Sequence, residues 1–449
     1  MLQPDTKPAS LMVDGGLCVR NFVRTSDGSE QLDLGACVEN PALLRTTLGH
    51  FALHQTTADG THLLARDLLG VNKLFYAIGE DGVPHCSNFW FELIRSGFSP
   101  DAIWSLPSGH FAVLECGRSR LRLERYASLT FGEDQEFSEL DLERHVRCIQ
   151  NRFCEVFQAI RDWSANQRIY ISLSGGLDST GIAVLTREHL GDFTAVAFAV
   201  ADCAEGSSTS EDLIVAERVA RELGVRLKTV VASREQVLES LDLALLYGQD
   251  WREFNVHCAL VNVAVGRAIR QDHGACHSAV PPLLLTGDVM NELMADYAPV
   301  TYSGKQFYLL PRLSAGHLRR VLVAGLDSGD REIGIMRSFG IDEIQPYALC
   351  APAYAALPGS WLSKPRAKQA LAQAIFGKRI PEYVYARPKT RAQEGSSSTG
   401  TGTLTVCIDE GIDAHWLKRR FGELFCIDPS SLQRFIRGGF YRFDTSGKK

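Results

Sequence analysis

Ser174-Gly175-Gly176-Leu177-Asp178-Ser179 follows directly on the apolar run Ile169-Tyr170-Ile171-Ser172-Leu173. A strand that runs into a Ser-Gly-Gly turn and then a helix is suited to phosphate. Glycines let the backbone approach an anion closely, and the N–H groups of a helix's first turn point at it. Asp178 adds a carboxylate that can hold Mg2+ against phosphate oxygens. The loop is not of the GxxxxGK[ST] kind, because no lysine follows its glycines. Taken alone, Ser-Gly-Gly after a strand also fits a plain tight turn. His257-Cys258 is a second pair with chemical potential, for a metal or a nucleophile, but its setting reads as the core face of a helix.

The elements around the hexamer say where it must sit. Residues from about 10 to 127 are short alternating apolar segments with frequent turns, such as His50–His54, His62–Ala65 and Lys73–Ile78, the first two separated by Ala58-Asp59-Gly60, a hairpin signal. This predicts a β-rich first domain, 1–130. The polar, acidic stretch Phe131–Leu140 reads as a linker, and 141–449 as a second domain. There Glu143–Trp163 carries Val146, Ile149, Phe153, Val156, Phe157 and Ile160 at helical spacing. Strands are expected at Ile169–Leu173, Thr194–Val200, Arg226–Val231 and Pro281–Thr286. Helices are expected at Asp178–His189, Ser210–Leu223 and Val261–Arg270. Alternating strands and helices imply an open parallel sheet with ligands at the carboxyl ends of its strands. Beyond Gly287 the chain reads as mostly helical, with a Gly/Ser/Thr loop at Ser396–Thr403.

Composition narrows the class. The chain has 449 residues, 45% hydrophobic and 22% charged, as in ordinary globular proteins. A net charge of −6 and the lack of any Lys/Arg-rich run argue against nucleic-acid binding. No apolar stretch reaches spanning length and the first residues lack signal-peptide character, so no membrane association and a cytoplasmic location are expected. The twelve cysteines include no CxxC pair and are expected to be mostly buried small hydrophobes.

The full hexamer resembles the pyrophosphate loop of ATP pyrophosphatases, which cleave ATP to AMP and PPi. Four further segments, in order along nearly the whole chain, resemble the asparagine synthetase and β-lactam synthetase family. Leu64–Tyr76 resembles the ARDPLGxxPLYY segment of the glutaminase-like domain, and Ser105–His110 the LPPGH element after it. Leu283–Tyr297 is similar to LLSGEGSDELFGGY. Arg387–Ser396 (RPKTRAQEGS) is similar to the RPK…EGSG stretch of β-lactam synthetases, more than to QKEQFSDGV of asparagine synthetases. The implied fold is a degenerate N-terminal-nucleophile-type β-rich domain, then a parallel α/β ATP-pyrophosphatase (PP-loop) domain with a helical C-terminal part.

The resemblance also implies a two-step reaction. A substrate carboxylate attacks the α-phosphorus of ATP, and an amine then attacks the acyl-adenylate. Ser174, Gly175, Gly176 and Ser179 would cradle pyrophosphate, with Ser172, Val200, Thr286 and Gly287 touching the nucleotide. Asp178 and Asn291 would hold Mg2+, Asn291 standing where the family has Asp. Lys389 matches the lysine that steadies the oxyanion of the second step. Asp288 takes the base position occupied by Glu or Tyr in relatives, and Asp330 or Glu332 would act with it. Glu211 and Asp212 lie near the nucleotide or merely complement a helix N-terminus. Arg252 and Glu253 would hold the substrate's amino-acid end or are solvated.

Class II glutaminases use an N-terminal Cys whose own amine is its base. Met1 is followed here by Leu2, and the nearest thiol, Cys18, is read as buried. The expectation is therefore an amine supplied by the substrate itself, a small β-amino acid closed to a β-lactam in secondary metabolism, with release of AMP and PPi. The alternatives are an ammonia-dependent asparagine synthetase-like ligase and a macrolactam (lasso-peptide-type) cyclase. Relatives are often dimers, so a homodimer is compatible with this reading.

Overall fold

The computed structural model describes residues 18–428 except 116–120, 134–136, 202–209, 276–277, 295, 297–299, 303–304, 308–315, 317–321, 323–331 and 388–401. Among the described residues the first part has nine short strands: β1 (Phe22–Arg24), β2 (Leu48–His50), β3 (Ala52–Thr56), β4 (His62–Arg66), β5 (Phe75–Ile78), β6 (Pro84–Ser87), β7 (Trp104–Ser105), β8 (His110–Leu114) and β9 (Arg122–Arg125). They form antiparallel sheets in the orders β1-β2, β3-β4-β8-β9 and β6-β5-β7. The hairpin signal at Asp59-Gly60 joins β3 to β4, with Gly60 at φ +80°.

Two of the motif segments lock each other in this part. The buried Asp67 carboxylate accepts from the backbone N–H groups of Phe51, Leu69, Val71 and Asn72 at 3.0–3.2 Å. Arg66 donates to the carbonyls of Asn72, Leu106 and Gly70 and to Ser105 Oγ. A buried carboxylate and a buried guanidinium, each met by fixed backbone dipoles, order two loops at once. The Ala-Arg-Asp segment thus serves as a clasp between loops.

The second part is built on β10 (Ile169–Ser172), β11 (Thr194–Val200), β12 (Arg226–Ala232) and β13 (Leu283–Leu285). A separate hairpin joins β14 (Val300–Tyr302) to β15 (Lys305–Phe307), and the last strand is β16 (Asp342–Ile344). The main sheet has the order β12-β11-β10-β13-β16, and every pairing is parallel. Every residue of β11 is buried, as expected for an interior strand covered on both faces. The strand β16 is absent from the sequence reading. It is three residues long and two are acidic, Asp342 being buried against Arg20 (3.0 Å) and Arg337 (3.6 Å).

Glu139–Trp163 is one helix, opened by a Ser138/Asp141 capping box, and it buries the six apolar residues named above. One continuous core joins the two parts. Phe22 meets Trp163 edge-on at 5.4 Å, Trp90 packs on Phe425, and Phe91 on Tyr247. The Gln345 N–H donates to the ring of buried His50 at 3.2 Å. Burial pushes the His50 pKa down to about 3, which keeps that ring neutral and able to accept.

The cysteine expectation needs correcting. Of the described cysteines, Cys37, Cys350 and Cys407 are buried, whereas Cys18, Cys148, Cys154 and Cys426 are exposed. Cys148 and Cys154 fall on the outer face of the Glu139–Trp163 helix. Cys18 points outward beside Val19, whose side chain takes the inward place and whose N–H is held by Asn88. Among the described residues, no helix is long and apolar enough to cross a membrane.

Candidate active site

In an open parallel sheet, the crevice for ligands lies where successive connections depart to opposite sides. Here that point falls between β10 and β13, and the segments leaving their carboxyl ends are Leu173–Ser179 and Thr286–Asn291. The two touch backbone to backbone. A Cβ on Gly287 would stand 2.8 Å from Asp178 C and from Ser179 N. Gly175 is at φ +70°, and a Cβ there would meet Val215 at 2.8 Å and Ala216 N at 2.9 Å. Both glycines are needed for close approach, one against each neighbouring segment.

Within the loop the serine hydroxyls hold the turn. Ser174 N–H donates to Ser179 Oγ (3.2 Å), the two hydroxyls lie 3.1 Å apart, and Gly176 N–H donates to Ser174 Oγ (3.3 Å). The helix Leu177–His189 starts at Gly176 with no side-chain cap, so its positive end faces the crevice. Ser172 ends β10 and Val200 ends the adjacent β11. Thr286 is buried and lies 3.4 Å from Glu343 Oε1. Half-buried Asp288 follows Gly287 directly. Next comes Val289 at φ +76°, a left-handed conformation that β-branched residues rarely adopt. Its buried side chain helps to offset that strain.

Two side chains that the sequence reading did not place there reach the loop from the C-terminal part. Lys368, 4% exposed, donates to Asp178 Oδ2 and to Asn291 Oδ1, both at 2.7 Å, and pairs with Asp296 at 3.3 Å. Burial works against its charge, yet Asp178 and Asp296 together hold its pKa above the ordinary lysine value. Arg387 pairs with buried Asp212, lies 3.8 Å from Glu211 and 3.4 Å from the Ser174 carbonyl, and carries a buried Nε with no acceptor. Burial raises the Asp212 pKa to about 6, against the pull of Arg387. Asp212 is therefore more than a helix-end charge: it ties the segment leading into Lys389 to the loop. A signal for Lys368 was present, since Ala367, Lys368, Leu371, Ala372, Ile375 and Phe376 form one buried helical stripe with a lysine inside it.

Asp178 Oδ1 is buried and has no partner. A carboxylate oxygen left so in a cleft suits a bound cation, so the residues present fit Mg2+ at Asp178. Asn291 does not offer the same, because its carbonyl oxygen already accepts from Lys368. Glu332 is buried at the start of the helix Ile333–Ser338. Asp330 and Lys389 lie outside the described residues, as does most of Ser396–Thr403. His257 is buried in the helix Glu253–Gly274, its pKa pushed down to about 3 by burial, as suits a core residue. Arg252 pairs with Asp250 at the start of that helix.

A cavity of about 560 Å³ lies at the opposite, amino end of the sheet, lined by Arg161, Arg168 and Arg226. Helix C-termini converge there; Arg161 donates to the His189 carbonyl, while Arg168 and Arg226 pair with the Asp272 carboxylate.

Residues 159–327 match the asparagine synthase family model. The matched stretch runs from the end of the Glu139–Trp163 helix past the crevice, and so takes in both loops. The asparagine synthetase [glutamine-hydrolyzing] of Gallus gallus is 22% identical over 388 residues, covering 80% of this chain and 65% of its own length. That of Rattus norvegicus is 22% identical over 376 residues, covering 79% of this chain and 64% of its own. The chain thus spans just under two thirds of the length of these relatives. Over these stretches the chain is similar to asparagine synthetases. Among solved structures, the NMN synthetase of Francisella tularensis is 12% identical with a TM-score of 0.30, covering 65% of this chain and 94% of that one. The NH3-dependent NAD synthetase of Campylobacter jejuni is 15% identical with a TM-score of 0.29, covering 66% and 94%.

Proposed function

We propose that this protein is an ATP-dependent amide ligase of the asparagine synthetase kind, which activates a carboxylate as its adenylate and passes it to an amine. One observation carries the reading: the Ser174–Ser179 loop opens a helix at the switch point of a parallel sheet, beside a buried, unpartnered Asp178 oxygen. In the first step the substrate carboxylate attacks the α-phosphorus and pyrophosphate leaves. The work of the site is alignment and neutralisation of charge. N–H groups of Gly175 and the first helical turn bind pyrophosphate, while Ser174, Ser179 and the Gly176 N–H that donates to Ser174 fix the turn. Ser172, Val200, Thr286 and Gly287 border the nucleotide. Mg2+ held at Asp178 would neutralise phosphate charge.

In the second step the amine loses a proton as it attacks, and the oxyanion is met by Lys389. Asp288, with Asp330 or Glu332, takes the proton. The kinship of Arg387–Ser396 with the RPK…EGSG stretch favours an amine on the same molecule, hence a β-amino acid closed to a β-lactam with release of AMP and PPi. The likeness to asparagine synthetases favours a second reading, in which ammonia attacks an aspartyl-adenylate. We further propose that 1–130 is a degenerate glutaminase-like scaffold for the synthetase domain 141–449.

ATP–PPi exchange separates these. Internal closure requires exchange only with carboxylates that carry their own amine. AMP formation with aspartate plus ammonia would establish the second reading, and no exchange with any amino acid would remove both. Lys389→Met is expected to abolish amide formation while exchange persists, and a fully active variant would unseat Lys389.

A further inference from the structure

The Lys368 ammonium stands where two acidic segments of the crevice converge. Asp178 opens the Leu177–His189 helix, Asn291 lies in the helix Met290–Met294, and Asp296 follows shortly after. An ammonium has three N–H donors, and these three side chains supply three acceptors, at 2.7, 2.7 and 3.3 Å. The lysine sits on the buried stripe of the helix Ala367–Phe376, so its position is fixed by packing of the C-terminal part.

We propose that Lys368 is a built-in cation of this site: it fills the position between Asp178 and Asn291 that a bridging divalent ion would take, leaving a single protein-held ion at Asp178 Oδ1. The inference rests on the ATP reading above. Three physical points support it. The Asn291 carbonyl cannot serve Mg2+ at the usual ~2.1 Å and an ammonium at 2.7 Å without setting two cations close together. With Asn at 291 in place of an acid, the carboxylates paired with Lys368 among the described residues are Asp178 and Asp296, so these three charged groups together keep one negative charge, suited to one added cation. Finally, Lys368 takes Asp178 Oδ2 and leaves Oδ1 facing nothing, which sets the direction from which an ion can be accepted. Lys368 is thus a positioning residue: it divides one carboxylate between a fixed cation and an exchangeable one.

The test counts metal directly. Mn2+ is titrated into the full chain with α,β-methylene-ATP, free Mn2+ is read by electron paramagnetic resonance, and nucleotide binding is followed in parallel. Asn291→Ala is expected to keep the wild-type number of bound ions, with affinity within about threefold, well short of the 10–100-fold losses typical of disturbed metal sites. Asn291→Asp is expected to keep that number too, because Lys368 neutralises the added charge. Lys368→Met combined with Asn291→Asp should gain one ion. Loss of an ion in Asn291→Ala, or an unchanged count in a folded double variant, would overturn the proposal. Should the double variant fail to fold, the two Asn291 variants still decide. A wild-type protein that binds no nucleotide refutes the ATP reading, and this inference with it.

Discussion

Gly287→Ala tests the architecture of the site more sharply than any charged residue. A Cβ there would lie 2.8 Å from Asp178 C, 2.8 Å from Ser179 N and 3.0 Å from Ser179 Cα, whereas ordinary contact begins at 3.4 Å. The shortfall is about 0.6 Å against two backbone atoms and about 0.4 Å against a third, and no side-chain rotation relieves it. Either the Thr286–Asn291 segment or the first turn of the Leu177–His189 helix must move by roughly that amount. Overpacking of this kind costs about 1–3 kcal/mol of stability. A displacement approaching 1 Å at reacting groups costs on the order of hundredfold in rate. The expected result is a 1–3 kcal/mol loss in urea denaturation together with a tenfold to hundredfold fall in ATP–PPi exchange, both about the size those two effects give. Gly274→Ala is the control: it ends a helix, and its Cβ would have nothing within 4 Å, so a change of no more than about 1 kcal/mol and unaltered exchange are expected. If Gly287→Ala exchanges within about twofold of wild type, the two loops do not form one rigid site and the reasoning fails.

Asp212 gives a pH prediction in which stability and activity move in opposite directions. Its folded pKa of about 6 lies above the ordinary 3.8, so the folded protein takes up that proton first. This group alone therefore adds stability as pH falls from about 6 towards 3.8 and withdraws it as pH rises. Protonation also removes the nearer counter-ion of Arg387, leaving Glu211 at 3.8 Å, so exchange should fall below about pH 6, and Asp212→Asn should abolish that limb; a limb that survives the substitution belongs to another group. Asp67→Asn should destabilise the β-rich part by about 2–3 kcal/mol, since an amide cannot accept from all four backbone N–H groups on the same terms. Hydrogen exchange should localise that loss to Phe51 and Leu69–Asn72, and uniform protection there would refute the clasp.

Some of these features were legible in the sequence because they are local. A strand, two glycines and a helix start are consecutive residues, so the strand–turn–helix at Ile169–His189 could be read directly, as could the helix whose apolar residues recur from Val146 to Ile160. Exposure of Cys18, Cys148 and Cys154 was missed because burial depends on which face a neighbouring element covers. The strand Asp342–Ile344 was hidden by its acids, which only partners from distant segments make tolerable. Asp212 was ambiguous for the same reason: its partner lies 175 residues away.

The sequence by itself determined a strand, a glycine turn and a helix start at Ile169–Ser179, suited to phosphate, with alternating strands and helices around them; ATP came in only through the resemblance of the hexamer to the pyrophosphate loop. The tertiary structure decided the rest. Strand order put the loops after β10 and β13 at one crevice. Packing of the helix Ala367–Phe376 then delivered a lysine to Asp178, 190 residues away. Local conformational preference acts within a few residues and leaves its mark in spacing. A buried charge is instead tolerated or excluded by whatever partner the whole fold brings to it.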